Sequence, residues 1–273
     1  MSRWQRRLAV VSGAGVVTAA TALGLLWVFQ RSLVYLPDTS PVLAPSDVRE
    51  VTLVTADGLR LDAWIVEPDA AADRSTAVLY VPGNAGNRAG RLDVGRALAA
   101  EGFTVLLMDY RGYGGNPGRP SEDGLALDAV AAADLLAGEG FEPGRTIYVG
   151  ESIGTGVVAR LQDGRPTAGI VLRSPFTDFT SVVAHHVPWL PTGRLLRDRF
   201  PLLEDLAGSR VPVSVVRGTA DEVVPTQQSA EVARSSENLV EEVVLEGVGH
   251  NDPEMFGEPL VDATVRLADH VVR

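Results

Sequence analysis

The stretch TIYVGESIGTGVVAR, residues 146–160, joins a short apolar run to a segment of small residues that can form a helix. At the junction, GESIG places Gly150, Ser152 and Gly154 at G-x-S-x-G spacing. A serine at a sharp strand-to-helix turn needs small neighbours, because larger side chains would collide with the adjoining strand and helix. The stretch therefore predicts a serine held at the tip of a strand in an α/β sheet, and the rest of the chain must supply its partners.

Similar apolar runs recur along the chain as TAVLYV, FTVLLMDY, RTIYVG, AGIVLR and VPVSVVRG. Strands buried on both faces look like this, and parallel sheets bury both faces. Alanine-rich or amphipathic stretches separate them, with helices predicted at roughly 87–101, 121–138, 153–162, 226–236 and 254–271. VTLVT and LRLDAWIVEP flank a turn at Asp57 and Gly58 and predict an antiparallel hairpin. We predict an α/β fold with a mainly parallel central sheet and helices on both faces.

The strand and helix alternation lapses between Ser174 and Val211. We predict a short cap insertion at about 175–210, lying over the carboxyl ends of the strands, where such insertions shape binding pockets. The insertion carries a group of apolar residues that would form an apolar wall or would simply pack the cap onto the core: Val182, Val183, Val187, Trp189 and Leu190.

A serine hydroxyl is a poor nucleophile at neutral pH and needs a base that is itself oriented by a carboxylate. Asp221 follows the run VPVSVVRG, and His250 lies in the loop VGHND between the run VVLEG and the final helix. Serine, aspartate and histidine in this order, each after its own strand, predict the catalytic triad Ser152, Asp221 and His250.

The other three histidines are weaker candidates for the base. His270 lies on the terminal helix, where a solvated position is the simpler interpretation. His185 and His186 lie in the insertion, where one of them could touch substrate, although a structural or surface role is more common there.

The oxyanion that develops during acyl transfer needs two fixed N–H donors. One is predicted at Ile153, directly after the nucleophile. The other is predicted at Asn84 in the loop PGNAGN, where Gly83 permits a close approach of the backbone. An ordinary glycine-rich turn is the alternative for this loop taken alone.

The chain resembles the α/β-hydrolase superfamily, and within it the single-span, membrane-tethered group that includes protein depalmitoylases and lysophospholipid or monoacylglycerol lipases. The resemblance covers most of residues 50–255 and is carried by YVPGNAGN, DYRGYGGNPGRPSEDG, YVGESIGTG, SPFTDF, HHVPWLPTGRLLRDRF, RGTADEVVP and GVGHND. It implies that Ser152, Asp221 and His250 are the nucleophile, acid and base. One departure is Pro82, where the family usually has histidine. Proline lacks a backbone donor, and a loop of different rigidity or with a cis bond is implied.

Asp109 and Arg111 in DYRGYGG invite a catalytic interpretation. We favour a structural one, in which the carboxylate and the guanidinium brace a glycine-rich crossover beside the serine turn. No histidine and carboxylate pair shows metal-ligand spacing, so neither a metal site nor a cofactor is predicted.

Residues 8–29 contain no charged residue, and at about 1.5 Å per residue a helix of this length can cross a hydrocarbon layer of roughly 30 Å. Arg3, Arg6 and Arg7 precede the stretch and Arg31 follows it, which predicts a cytoplasmic amino terminus and a catalytic domain on the extracytoplasmic side. A cleaved signal peptide is the alternative, but the apolar run is longer than the roughly 7 to 15 residues of a signal core.

The predicted organisation is an amino-terminal segment and membrane anchor at 1–30, a proline-rich linker at 31–48, and a hydrolase domain at 49–273. The net charge is −11 and the basic residues are scattered singly, so a nucleic-acid partner is not expected. With no cysteine in the chain, disulfides and cysteine nucleophiles are excluded.

The predicted function is hydrolysis of carboxylic esters or thioesters, of acyl or lipid type, through an acyl-enzyme. An aminopeptidase or amidase of the same fold is the alternative, and it would use carboxylates of the cap: Asp178, Asp198, Glu204 and Asp205. Arg194, Arg197 and Arg199 in the same insertion leave that choice open. A noncatalytic binding protein is a further alternative, although no member of the triad is missing.

Overall fold

The computed structural model describes residues 3–272, without the side chains at 3, 6–17, 19, 20 and 22. Eight strands form the central sheet: β1 (Arg49–Val54), β2 (Arg60–Val66), β3 (Thr76–Val81), β4 (Phe103–Met108), β5 (Thr146–Glu151), β6 (Gly169–Arg173), β7 (Val213–Gly218) and β8 (Leu239–Leu245). Across the sheet they run in the order β8, β7, β6, β5, β3, β4, β2, β1.

Most neighbouring strands in this sheet are parallel, because helices carry the chain back along its faces. The strands from β3 to β8 pair in parallel, whereas β2 pairs antiparallel with both β1 and β4. Every residue of β3, β4, β5 and β6 is buried. The prediction of a mainly parallel sheet begun by an antiparallel hairpin is confirmed.

The helices of the described chain are α1 (Arg3–Val34), α2 (Leu92–Ala100), α3 (Glu122–Gly138), α4 (Ile153–Gly164), α5 (Phe179–His186), α6 (Thr192–Leu195), α7 (Leu202–Leu206), α8 (Thr226–Ser235) and α9 (Glu258–Val271). Short 3₁₀ turns occupy Arg88–Arg91, Pro143–Arg145 and Pro253–Phe256. The hydrophobic core forms two clusters, one on each face of the sheet.

Helix starts follow local chemistry that is visible in the sequence. Ser121 caps α3 by accepting the N–H of Gly124, and Asp178 caps α5 by accepting the N–H of Ser181. Both side chains satisfy backbone donors that have no acceptor within the helix. The insertion folds as three short helices, α5 to α7, which the sequence patterns did not resolve.

Helix α1 ends at Val34, past the predicted end of the anchor at residue 30. Within the residues that the structure describes, no helix is long and apolar enough to cross a bilayer. Much of the predicted span at 8–29 lies outside the described side chains.

Candidate active site

Ser152 occupies the turn between β5 and α4, in a backbone conformation that is costly for a residue with a side chain. Its φ is 51° and its ψ is −117°. Non-glycine residues rarely adopt positive φ, and such strain persists only where surrounding structure enforces it. A Cβ on Gly150 would lie 2.7 Å from the carbonyl oxygen of Gly154, and a Cβ on Gly154 would lie 2.4 Å from that of Val81. The two glycines therefore let the turn pack against both its own helix and β3.

Gly154→Ala is expected to destabilise the protein by about 3 kcal/mol or more, because the new methyl group would meet backbone atoms on β3 that cannot turn aside. Gly164→Ala, at the other end of α4, is the matched control, because nothing lies within 4 Å of a Cβ there. Its free energy of unfolding should change by less than about 1 kcal/mol. Urea unfolding of both variants measures the difference. Equal stability of the two would contradict the packing assigned to Gly154.

Asp221 and His250 meet at the carboxyl ends of β7 and β8. His250 Nδ1 lies 2.8 Å from Asp221 Oδ2, and the two side chains are 6% and 1% exposed. Asp221 Oδ1 accepts the N–H groups of Val223 (2.9 Å) and Val224 (2.7 Å), so the carboxylate is held from both sides. Burial alone would raise the pKa of Asp221, but its hydrogen bond with His250 and the Val224 N–H outweigh that effect and lower it.

The loop that carries His250 is pinned by neighbouring carboxylates. Glu222 Oε2 accepts the N–H of His250 (3.2 Å), and Asp252 Oδ2 accepts the N–H of Gly249 (2.7 Å). The imidazole is therefore presented on a fixed loop, with its Nδ1 side turned toward the buried carboxylate of Asp221.

Arg173, the last residue of β6, joins the serine turn to the histidine loop. Its carbonyl accepts the N–H of Ser152 (2.9 Å), and its Nη2 donates to the carbonyl of His250. The guanidinium is completely buried and lies over the ring of Phe256, 4.2 Å from its centroid. No motif pointed to Arg173, and the only signal was an arginine closing the apolar run AGIVLR.

Glu151, which precedes the serine, is buried in a charged network that supports the turn. Arg91 donates two hydrogen bonds to its carboxylate, at 2.7 and 3.1 Å, and the Tyr80 hydroxyl donates a third at 3.0 Å. Burial alone would raise the pKa of Glu151, but Arg91 and Arg173 lower it to about 2. A Cβ on Gly83 would lie 2.5 Å from Glu151 Oε1, so the loop after β3 packs directly on this carboxylate.

Glu151→Gln is expected to lower the free energy of unfolding at neutral pH by about 3 kcal/mol, because it leaves buried guanidinium charge uncompensated. Since the folded-state pKa of Glu151 is depressed, its contribution is complete above its ordinary value of 4.5 and is lost as pH falls toward about 2. Urea unfolding at neutral and acid pH should therefore show the stabilities of parent and variant converging in acid.

A matched control for Glu151→Gln is Asp47→Asn, which breaks the pair that Asp47 makes with Arg96 at the surface. That change is expected to cost less than about 1 kcal/mol. A stability difference for Glu151→Gln that stayed constant across pH would contradict the ionised state assigned to Glu151.

The two residues predicted for the oxyanion hole belong to different segments of the chain. Ile153 is the first residue of α4, where backbone N–H groups have no acceptor within the helix. Asn84 lies in the loop after β3 and is tied to the end of α1, because its side-chain amide donates to the carbonyl of Val34. Its own carbonyl accepts the Tyr113 hydroxyl at 2.9 Å. The described chain has no cis peptide bond, so Pro82 is trans.

The remaining histidines lie at the surface. His185, His186 and His270 are exposed, and His186 Nε2 lies 2.8 Å from the carbonyl oxygen of Val223.

Asp109 and Arg111 brace the glycine-rich crossover, as predicted, but each has its own partners. Asp109 pairs with buried Arg88 (2.7 Å). Arg111 pairs with Asp128 (2.8 Å) and Asp57 (2.7 Å).

A cavity of roughly 440 Å³ lies between the carboxyl-terminal part of α1 and the cap. Its lining includes Asn84 and also Val223, whose N–H binds Asp221, but not Ser152, Ile153 or His250. Its lining includes all five residues that were predicted to form an apolar wall: Val182, Val183, Val187, Trp189 and Leu190. Val182 is also part of the hydrophobic core, so these residues both line the cavity and pack the cap. The wall from α1 has no counterpart in the sequence prediction.

Comparison with known proteins agrees with this architecture. The family model for the alpha/beta hydrolase fold matches residues 76–210. The alpha/beta hydrolase domain-containing protein WAV2 of Arabidopsis thaliana is 30% identical, over 77% of this chain and 76% of its own. The chain belongs to the α/β-hydrolase family.

Two further proteins are similar to this chain beyond residues 76–210. The uncharacterized protein MT2364 of Mycobacterium tuberculosis is 44% identical over 96% of this chain and 95% of its own. The solved structure of the Pyrococcus furiosus esterase Pf2001 superposes with a TM-score of 0.70 at 19% identity, over 88% of this chain and 100% of that one. At that identity the structural likeness shows the fold.

Proposed function

We propose that this chain is a serine hydrolase that cleaves acyl esters or thioesters. The observation that carries the proposal is the buried hydrogen bond between Asp221 and His250, at the same edge of the sheet as the strained Ser152. A carboxylate fixed on Nδ1 leaves Nε2 of the imidazole to act as a base. The described hydrogen bonds of Ser152 involve its backbone, and a hydroxyl-to-imidazole bond of this kind often tightens only when substrate binds.

In the proposed reaction, His250 takes the proton of Ser152 as its Oγ attacks the acyl carbonyl. The oxyanion accepts hydrogen bonds from the N–H groups of Ile153 and Asn84. Its collapse breaks the bond to the leaving oxygen or sulfur, which receives the proton from His250. Water, deprotonated by the same imidazole, then attacks the acyl-serine, releases the carboxylic acid and returns the proton to Ser152. The mechanism uses no cofactor.

The chemistry of the cavity favours substrates with an apolar acyl chain over peptides or amides that carry a free amino group. No acidic side chain lines it in the described part of the chain. Of the carboxylates that an aminopeptidase would use, Asp178 caps α5 and Asp198 binds Arg31. Pf2001, which shares the fold, is named an esterase.

The amino-terminal segment is proposed to anchor the protein in a membrane with a single span at 8–29. The absence of charge in that stretch and the arginines before it support a cytoplasmic amino terminus and an extracytoplasmic catalytic domain. In the same proposal, 31–48 connects the anchor to the domain, and its first residues, 31–34, complete α1. Residues 49–273 are the hydrolase domain and 175–210 the cap, as in membrane-tethered members of the family. Retention in the membrane pellet after carbonate extraction, with the hydrolase domain open to external protease, is the expected result.

The substrate proposal is tested by assaying the full-length protein in detergent against acyl esters, acyl thioesters and aminoacyl anilides. Hydrolysis of the esters or thioesters, with no turnover of the anilides, is expected. Turnover of the anilides alone would replace the proposal with the aminopeptidase alternative.

A further inference from the structure

The cavity between α1 and the cap has a wall that belongs to the amino-terminal helix. Leu26, Leu33 and Val34 of α1 face Val183 and the other cap residues across it. The helix that the sequence predicts as an anchor therefore lines the same cavity as Asn84.

The polar side chains of the lining are already engaged by the protein itself. Gln30 donates to the carbonyls of Trp27 (2.8 Å) and Leu195 (3.2 Å) and accepts the N–H of Arg197 (2.8 Å). His186 and Asn84 are engaged by the backbone carbonyls of Val223 and Val34. With these groups satisfied, the space suits an apolar chain and offers little to a polar ligand.

A partly buried ion pair holds α1 against the cap, with the Arg31 side chain 36% exposed. Arg31 binds Asp198 through two hydrogen bonds of 2.8 and 2.9 Å, and the hydroxyl of Tyr35 donates to the same carboxylate at 3.1 Å. The Asp198 side chain is only 6% exposed. Arg197 also lies over the ring of Trp27, 5.2 Å from its centroid. These contacts make the wall from α1 a fixed part of the domain.

The lining contains both a residue of the predicted oxyanion hole and exposed aromatic side chains. Asn84, whose N–H is proposed to bind the oxyanion, is one of the lining residues. Trp27 and Trp189, also in the lining, are 48% and 77% exposed. A volume of roughly 440 Å³ falls within the range of about 300–1,000 Å³ that is common for small-molecule sites.

Building on the proposed function, we infer that this cavity binds the unbranched fatty acyl chain of the substrate and that α1 sets the preference for acyl length. The ester carbonyl would lie at Asn84 and the chain would extend between α1 and the cap. The amino-terminal helix is then a specificity determinant as well as an anchor.

The test uses full-length variants in detergent and p-nitrophenyl esters of acetate, octanoate and palmitate. Leu26→Trp fills the cavity from the side of α1, and Val183→Trp fills it from the cap. Val28→Trp is the matched control, since Val28 lies on α1, is 58% exposed and is not part of the lining. Both filling variants should lower kcat/KM for the palmitoyl ester by about 10-fold or more, which corresponds to about two methylenes left unburied. The ratio of palmitoyl to acetyl kcat/KM should therefore fall in both filling variants, and Val28→Trp should keep the parental ratio.

The outcomes separate this inference from the proposed function. If the parent hydrolyses acetyl and palmitoyl esters but both filling variants keep the parental ratio between them, the acyl site is elsewhere. The same conclusion follows if both variants lose acetyl and palmitoyl hydrolysis in equal proportion while circular dichroism shows them folded. If the parent hydrolyses no ester of any length, the proposed function itself fails, and the inference fails with it.

Discussion

Ser152→Ala should lower kcat for ester hydrolysis by at least about 10⁴-fold, with the fold unchanged. Without its hydroxyl the protein has no nucleophile for the acyl carbonyl, so the acyl-enzyme route is lost and only binding and the oxyanion donors remain. The substitution should keep the turn intact, since the described hydrogen bonds of Ser152 involve its backbone, which alanine retains. Steady-state kinetics on an acetyl ester, with circular dichroism to check folding, measures the effect.

The control for Ser152→Ala is Ser75→Ala. Ser75 has the same φ of 51°, but it is exposed and precedes β3, at the opposite edge of the sheet. Ser75→Ala should keep kcat within about 2-fold of the parent value, because it changes an exposed side chain away from the site. Retention of most of the activity by Ser152→Ala would overturn the assignment of the nucleophile.

Asp221→Asn is expected to lower kcat by about 10⁴-fold at neutral pH with little change in KM. The buried carboxylate accepts a hydrogen bond from Nδ1 of His250, with Nδ1 2.8 Å from Oδ2. It thereby stabilises the imidazolium that forms in the reaction. An amide can instead present its NH₂ group to Nδ1, which favours the tautomer with the proton on Nε2 and prevents that nitrogen from acting as a base. The change is nearly isosteric, so substrate binding should be preserved.

Glu222→Gln gives the contrast for Asp221→Asn, because Glu222 contacts the same histidine only through its backbone N–H. A decrease in kcat of less than about 10-fold is expected, since a neutral amide oxygen still accepts that hydrogen bond. Parallel kinetics on the two variants compare them directly. If Glu222→Gln were the more damaging change, the orienting carboxylate would have to be reassigned from Asp221 to Glu222.

The strands, the serine turn and the residues after the strand ends could be predicted, because each depends on a short stretch of sequence. The apolar runs mark buried strands, and the glycines around Ser152 are needed wherever a turn must pack this closely on its neighbours. Asp221 and His250 each follow a strand of their own, so the alignment of strand ends in a parallel sheet brings them to one edge. The family resemblance and the spacing point to the same three residues.

The contacts between distant segments could not be predicted, because periodicity carries no information about which charges will pair. Arg31 and Asp198 are 167 residues apart in the chain, and nothing near either residue indicates the other. For the same reason, the motif DYRGYGG suggests that Asp109 acts together with Arg111, whereas the structure pairs Asp109 with Arg88. The wall that α1 contributes to the cavity follows from such contacts.

Labelling of the full-length protein and of Ser152→Ala with a fluorophosphonate, which reacts with activated serines, tests whether Ser152 is the nucleophile. The parent should be labelled stoichiometrically at Ser152, and the variant should not be labelled. Absence of labelling in folded parent protein, or equal labelling of both proteins, would contradict the claim that GESIG holds an activated nucleophile.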